Sequence, residues 1–291
     1  GPIISQIAGR LKQERRNTDL VVAGDRVSIT VNADGTGTID AVEPRHSVLS
    51  RAKPHPEERS LLSDREDIMI ANPDQVVFVF AVRDPTPSLR KLDRFLVVAE
   101  MNRLPVIICA NKTDLVGAEE ARRMFQIYDD IGYRVIHTSA TQGTGIEELR
   151  SMLAGKISVL AGSSGVGKSS LLNALQPGLG LRVKGVSDAT GKGMHTTRHT
   201  ELIPFEAGGY VADTPGIRTL ALFDIEPQEL DGYFREIAPL VGSCQFSDCT
   251  HNREPKCAVR AAVGDGRVSP ERYESYLRLR EELQQLEDEK Y

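Results

Sequence analysis

The sequence predicts an α/β protein built on a parallel sheet covered on both faces, with a smaller β unit before it and a cysteine-bearing helical unit after it. Three observations support this. From about residue 69 to 226, continuous apolar runs alternate with amphipathic helices, and the Gly-rich stretch GSSGVGKSS at 162–170 joins one such run to one such helix. Before that zone, about residues 1–68 carry alternating apolar residues broken by a Gly-rich turn. After it, residues 227–291 hold a Cys/His cluster and a long terminal helix.

A chain of 291 residues has room for two or three domains of ordinary size. At 40% hydrophobic and 26% charged residues it reads as globular rather than disordered. The net charge of -5 excludes a global nucleic-acid footprint, although local basic patches still count. No apolar run reaches the roughly 18 residues of a membrane span. The opening GPIISQIAGRLKQERR lacks an apolar core of signal-peptide type. Three of the four Cys have metal spacing rather than disulfide spacing, which fits a reducing cytoplasm.

In the first zone, Val27, Ile29 and Val31, then Ile39 and Val42, flank NADGTG and predict a hairpin, hence a small barrel or part of one. In the second, QVVFVFAV (75–82) is apolar throughout, as expected of a parallel strand buried on both faces. Leu89, Leu92, Leu96 and Ala99 then recur at helical spacing. Strands are expected at 105–110, 133–140 and 156–162, with helices in AEEARRMFQIYDDIG, GIEELRSML and KSSLLNAL. HTELIPFEAGGYVADTPG reads as two strands joined by a turn at 207–209, which gives one antiparallel strand. The last helix opens with Ser269 as N-cap and Pro270 in first position. Tyr276, Leu279, Leu283 and Leu286 form its apolar stripe, expected to dock on its own domain.

Four constellations carry chemistry. Gly162, Ser163, Ser164, Gly165, Val166, Gly167, Lys168, Ser169 and Ser170 match the P-loop pattern between a strand and a helix. Glycines let backbone N–H groups turn toward phosphate oxygens, and the helix N-terminus adds a positive dipole end. Lys168 would neutralise β- and γ-phosphates, and Ser169 would ligate Mg2+. Asp213-Thr214-Pro215-Gly216 ends a strand, where Asp213 suits Mg2+ and Gly216 suits a γ-phosphate. Asn111-Lys112-Thr113-Asp114 ends another strand. The Asp114 carboxylate can accept from the amino edge of guanine, which adenine lacks, while Ser139 and Ala140 suit a backbone contact to guanine O6. Taken alone, NKTD could equally be a helix cap after a strand. Lastly, Cys244, Cys249, His251 and Cys257 form a closed Cys3His set of the structural zinc type, with Arg253, Lys256, Arg260 and Arg267 around it as a possible RNA contact.

Between the P-loop and Asp213, Thr196 and Thr197 are candidates for a switch threonine on Mg2+, with Thr197 preferred. Ile217 stands where many enzymes of this loop type place a water-orienting Gln, so His195 becomes a candidate for that role; a solvated loop His or an RNA contact is an equal alternative.

The order NKTD, SA, GSSGVGKSS, HTT, DTPG and Cys-x4-Cys-x-His-x5-Cys resembles the circularly permuted ribosome small-subunit-dependent GTPase family (RsgA/YjeQ). GDRV and PRHSVLSR resemble that family's N-terminal OB barrel, although the zone is short for five strands. The resemblance implies a circularly permuted P-loop GTPase domain flanked by an OB-like β-barrel and a zinc-binding helical domain. It implies GTP/GDP, Mg2+ and one structural Zn2+, and late maturation of the small ribosomal subunit through 16S rRNA with stimulation by the subunit. The family's proposed catalytic His matches His195. Gly165 stands where some potassium-activated GTPases carry Asn, so potassium activation by that route is not expected. The expectation is a cytoplasmic monomer without a membrane partner. The permutation has a simple geometry: the usual termini of such a domain end near each other, so joining them through GIEELRSMLAGKISVL and cutting after DTPG preserves the sheet.

Two further readings are a nucleotide-gated RNA-binding module with incidental hydrolysis and an ATP-dependent enzyme with an accidental NKTD. With Ile217 beside DTPG, intrinsic GTP turnover is expected to be slow. A basal rate equal to that of a stimulated GTPase would contradict this.

Overall fold

The computed structural model describes residues 1–9, 11, 20–51, 67–181, 201–213 and 225–288, with the backbone alone at Arg51, Asp67 and Asp213. Among the described residues, five short strands precede the central sheet. Strands β1 (Ser5–Ile7), β2 (Val27–Val31) and β3 (Gly37–Val42) pair in the order β1-β3-β2, and β4 (Val48–Arg51) pairs antiparallel with β5 (Asp67–Ala71). The expected hairpin is β2 and β3. Five strands is the count of an OB barrel, although the zone looked short for it. Strands β1, β4 and β5 were not expected: β1 and β4 are only three and four residues long, and β5 crosses the zone boundary at residue 68.

The central sheet has six strands among the described residues: β6 (Gln75–Ala81), β7 (Val106–Asn111), β8 (Arg134–Thr138), β9 (Lys156–Ala161), β10 (Glu201–Pro204) and β11 (Gly209–Asp213). Their order is β10-β11-β9-β6-β7-β8, and β10 alone pairs antiparallel. Helices α1 (Leu89–Met101) and α2 (Ala118–Asp130) cover one face; α3 (Ile146–Leu153) and α4 (Lys168–Leu175) cover the other. Strand β6 shows why its sequence is apolar throughout. Phe78 and Phe80 pack with Leu92, Phe95 and Leu96 of α1, while Val77 and Val79 pack with Leu149, Leu171 and Leu172 on the opposite face.

The chain steps outward from β6 to β7 to β8. Helix α3 then carries it back to β9, on the other side of β6. The strand order therefore reverses between β6 and β9. In open α/β sheets, ligands bind in the crevice at such a point, beyond the carboxyl ends of the strands.

The C-terminal region contributes 3-10 turns at Leu230–Tyr233 and Ala238–Leu240, then α5 (Ala258–Gly264) and α6 (Pro270–Asp288). Ser269 caps α6, its Oγ accepting from the Arg272 N–H at 3.3 Å. The apolar stripe holds at Tyr276, Leu279 and Leu283, but Leu286 is 44% exposed, because the last turn of α6 extends past the core it packs on. The stripe also reaches further than its own domain: its residues share one continuous core with α1 and α2.

At that junction sits Arg272, 1% exposed. Its Nη1 lies 2.7 Å from Asp93 Oδ1 of α1 and its Nε 2.7 Å from Glu236 Oε1. The guanidinium stacks 4.5 Å from the Phe234 ring, and Tyr128 of α2 donates to the same Asp93 oxygen at 2.7 Å. Burial alone would favour the uncharged arginine, but the two carboxylates more than compensate and raise its pKa. Arg90–Glu274 and Arg94–Glu282 extend the contact at the surface, at 3.2 and 2.7 Å. The buried group should dominate. Chemical denaturation of Arg272→Ala is expected to show a loss of about 3–5 kcal/mol, because two buried carboxylates lose their partner. Arg90→Ala should lose less than about 1 kcal/mol.

Candidate nucleotide and metal sites

The P-loop spans the β9–α4 connection. Gly165 and Gly167 have φ of +83° and +97°, the left-handed backbone that lets successive N–H groups form an anion-binding nest. Gly167 is constrained twice, since a Cβ there would lie 2.4 Å from Asn111 Nδ2. Lys168 opens α4 and folds back over the loop, donating to the carbonyls of Gly162 at 2.9 Å and Ser163 at 3.2 Å. Ser169 and Ser170 follow in the first turn of α4, half-buried.

The NKTD stretch ends β7. Asn111 is 2% exposed; its amide donates to Val166 O of the P-loop at 2.9 Å and accepts from Thr138 Oγ1 of β8 at 3.0 Å. Thr113 donates to Thr138 O at 3.1 Å. Lys112 adopts φ +64°; its ammonium donates to Asp84 O, and its stem passes beside Gly167. Asp114 is exposed at the mouth, where its carboxylate accepts from Ser139 Oγ at 2.5 Å. Ser139 in turn accepts from the Gln142 N–H at 3.2 Å, with Ala140 beside it. Asp114 is thus pre-oriented by the residue expected to contribute only a backbone contact.

Strand β11 runs parallel to β9 with Asp213 opposite Leu160, two residues before the loop begins. This brings the backbone of the third motif to the same end of the sheet. His195, Thr196, Thr197, Gly216 and Ile217 lie outside the described residues. Sequence reasoning missed Thr138, whose hydroxyl bridges Asn111 and the buried Cys109 Sγ at 3.2 Å. A buried threonine one residue before the SA pair was its only signal. Burial pushes the Cys109 thiol up to about 12, so it is an inert packing group.

In the C-terminal region the ligand atoms of Cys244, Cys249, His251 and Cys257 lie within 4.8 Å of one another. A tetrahedral zinc with Zn–S of about 2.3 Å puts sulfurs about 3.8 Å apart and a sulfur and an imidazole nitrogen about 3.6 Å apart. The Cys244–Cys257 separation is 3.8 Å, and His251 Nδ1 lies 3.5 and 3.4 Å from those sulfurs. Asp231 sits 3.1 Å from His251 Nε2, which leaves Nδ1 for the cluster. Backbone N–H groups of Ala258 and Arg260 reach the Cys244 and Cys257 sulfurs at 3.3 and 3.5 Å. Burial pushes the Cys249 thiol up to about 12, a cost that a central cation offsets. The set fits a structural zinc.

A P-loop pattern at a topological switch point, an NKTD stretch at the end of β7 across β6 from it, and the reversed order of the two define a P-loop nucleotide-binding protein of permuted topology. The RsgA GTPase family model matches residues 42–223. The small ribosomal subunit biogenesis GTPase RsgA of Gemmatimonas aurantiaca is 47% identical over 281 residues, covering 96% of this chain and 90% of the relative. The protein of the same name from Thermotoga petrophila is 42% identical over 284 residues, covering 97% and 89%. Among solved structures, YjeQ from Thermotoga maritima matches with a TM-score of 0.78 and 39% identity over 97% of this chain and 90% of that one. YloQ, a circularly permuted GTPase, matches with a TM-score of 0.73 and 34% identity over 97% and 86%. The chain belongs to the RsgA GTPase family and is a GTPase.

Competition binding provides a check on the base site. Asp114→Ala is expected to weaken GDP binding by at least about tenfold and leave ADP binding unchanged, because the lost carboxylate matches only the guanine donors.

Proposed function

We propose that this protein hydrolyses GTP during biogenesis of the small ribosomal subunit, binds the subunit through 16S rRNA and is stimulated by it. The convergence of 111–114 and 162–170 on one crevice supports this reading, in a chain whose relatives bear the name small ribosomal subunit biogenesis GTPase. Asp114 accepts from the guanine edge, Lys112 covers the base, and Ser139 holds the carboxylate in place. The loop amides of 164–170 and Lys168 neutralise the phosphates. Ser169, Asp213 and Thr197 would hold Mg2+, which when bound screens the charge that develops between β- and γ-phosphate. Gly216 would meet the γ-phosphate and His195 would orient the water.

Cys244, Cys249, His251 and Cys257 would hold one zinc that fixes the C-terminal fold. Around it Arg253, Lys256, Arg260 and Arg267 are exposed. Arg267 already pairs with Asp265 at 2.8 Å, so Arg253 and Lys256 are the stronger candidates for phosphates of rRNA. A cytoplasmic monomer suits this role, and no described helix is long and apolar enough to cross a membrane.

GTP turnover with and without purified small subunits tests the proposal. Addition of subunits should raise turnover at least about tenfold, and Lys168→Ala should abolish it. Subunit binding that depends on GTP but leaves turnover flat would favour a nucleotide-gated RNA-binding module instead.

A further inference from the structure

Helix α1 stands between two parts of the molecule that are far apart in sequence. Arg90, Asp93 and Arg94, spaced three and four apart, share the face that meets α6. They pair there with Glu274, Arg272 and Glu282. Lys91 lies about 100° round the helix from Arg90 and points elsewhere. Its ammonium donates to Ser163 Oγ of the P-loop at 3.0 Å and rests 5.6 Å from the Phe95 ring. Lys91, Ser163 and Ser164, with the end of β6 and residues 85–88, line a cavity of about 260 Å3 against the loop.

Ser163 is therefore held by two lysines. Lys91 holds its hydroxyl, and Lys168 takes its carbonyl at 3.2 Å. A P-loop lysine has three N–H donors to share between the loop carbonyls and bound phosphates. The hydroxyl contact from α1 is a tie on the first turn of the loop that phosphate binding does not draw on. Lys91 is two residues from Asp93, which the buried Arg272 holds across the junction and Tyr128 holds from α2. A rigid helix cannot move Asp93 without moving Lys91.

We propose that Lys91 is a positioning residue of the phosphate loop, and that α6 of the C-terminal region acts on nucleotide affinity through it. This rests on the reading of 162–170 as the phosphate loop.

The test is a set of GDP dissociation constants for the full chain with Mg2+, measured with a fluorescent GDP, with thermal melting to confirm folding. Lys168→Ala tests the underlying reading: unchanged GDP affinity there would overturn it, and this proposal with it. With that control behaving as expected, Lys91→Met and Ser163→Ala should each weaken GDP by about tenfold, as for one hydrogen bond from a charged group. The double variant should be no worse than either single one, and Lys91→Arg should recover part of the loss. Additive losses would mean that Lys91 touches the nucleotide itself, and would overturn the proposal, as would an unchanged affinity in Lys91→Met. The link to α6 is read from Arg272→Lys, or from Asp93→Asn, which weakens the same buried pair from α1, if the former melts below the assay temperature. Either should weaken GDP in the wild-type background and leave affinity unchanged in the Lys91→Met background. Equal effects in both backgrounds would overturn the link.

Discussion

The side-chain amide of Asn111 is the contact on which the site depends. Its nitrogen donates to Val166 O inside the P-loop, and its oxygen accepts from Thr138 on the next strand. One buried group thus ties β7, β8 and the β9 loop together. The amide approaches so closely that only glycine fits at 167, and the left-handed φ there requires the same. Both requirements are indifferent to chain order. They need β7 and β9 to flank β6, which the register of the sheet supplies. That is why a sequence with NKTD before the P-loop builds the same crevice as one with the usual order: the permutation moves the chain ends and leaves the neighbours alone.

The second constraint is the junction at Arg272. Its two buried ion pairs, the Phe234 stack and the continuous core make α1 and α6 one packed unit. The surface pairs beside it add little, because water screens them. A buried charge network is poor evidence for stability beyond what apolar groups would give. It is, however, geometrically exacting, since every partner must be met. The Cys/His cluster hangs on the same framework: Tyr273 and Tyr276 of α6 donate to His251 O and Thr250 O, and Asp231 orients the imidazole.

Much of this was legible in the sequence. Strands β6–β11 and helices α1–α4 lie within a few residues of where apolar periodicity placed them, because a doubly covered sheet leaves polar residues few places to go. The P-loop, NKTD and Cys/His stretches stand out in the sequence because the chemistry expected of them dictates local spacing. Long-range partners were not legible. Arg272 reads as an ordinary solvated arginine, and only the packing of α6 on α1 buries it. Leu286 matches the stripe by spacing yet lies past the end of the core. Ser139 was singled out for its backbone, while its hydroxyl holds Asp114 across a strand connection that no local pattern encodes. Strand β5 hid because its apolar stretch IMIA is only four residues long and straddles the zone boundary at residue 68.

A crystal structure of the chain with GDP and Mg2+ would show whether the two motifs in reversed order form one guanine-nucleotide site. The diphosphate is expected in the cradle of 164–170, with the guanine edge on the Asp114 carboxylate and Lys112 along its face. A diphosphate in the loop with the base turned away from Asp114 would mean that the two motifs do not form one site.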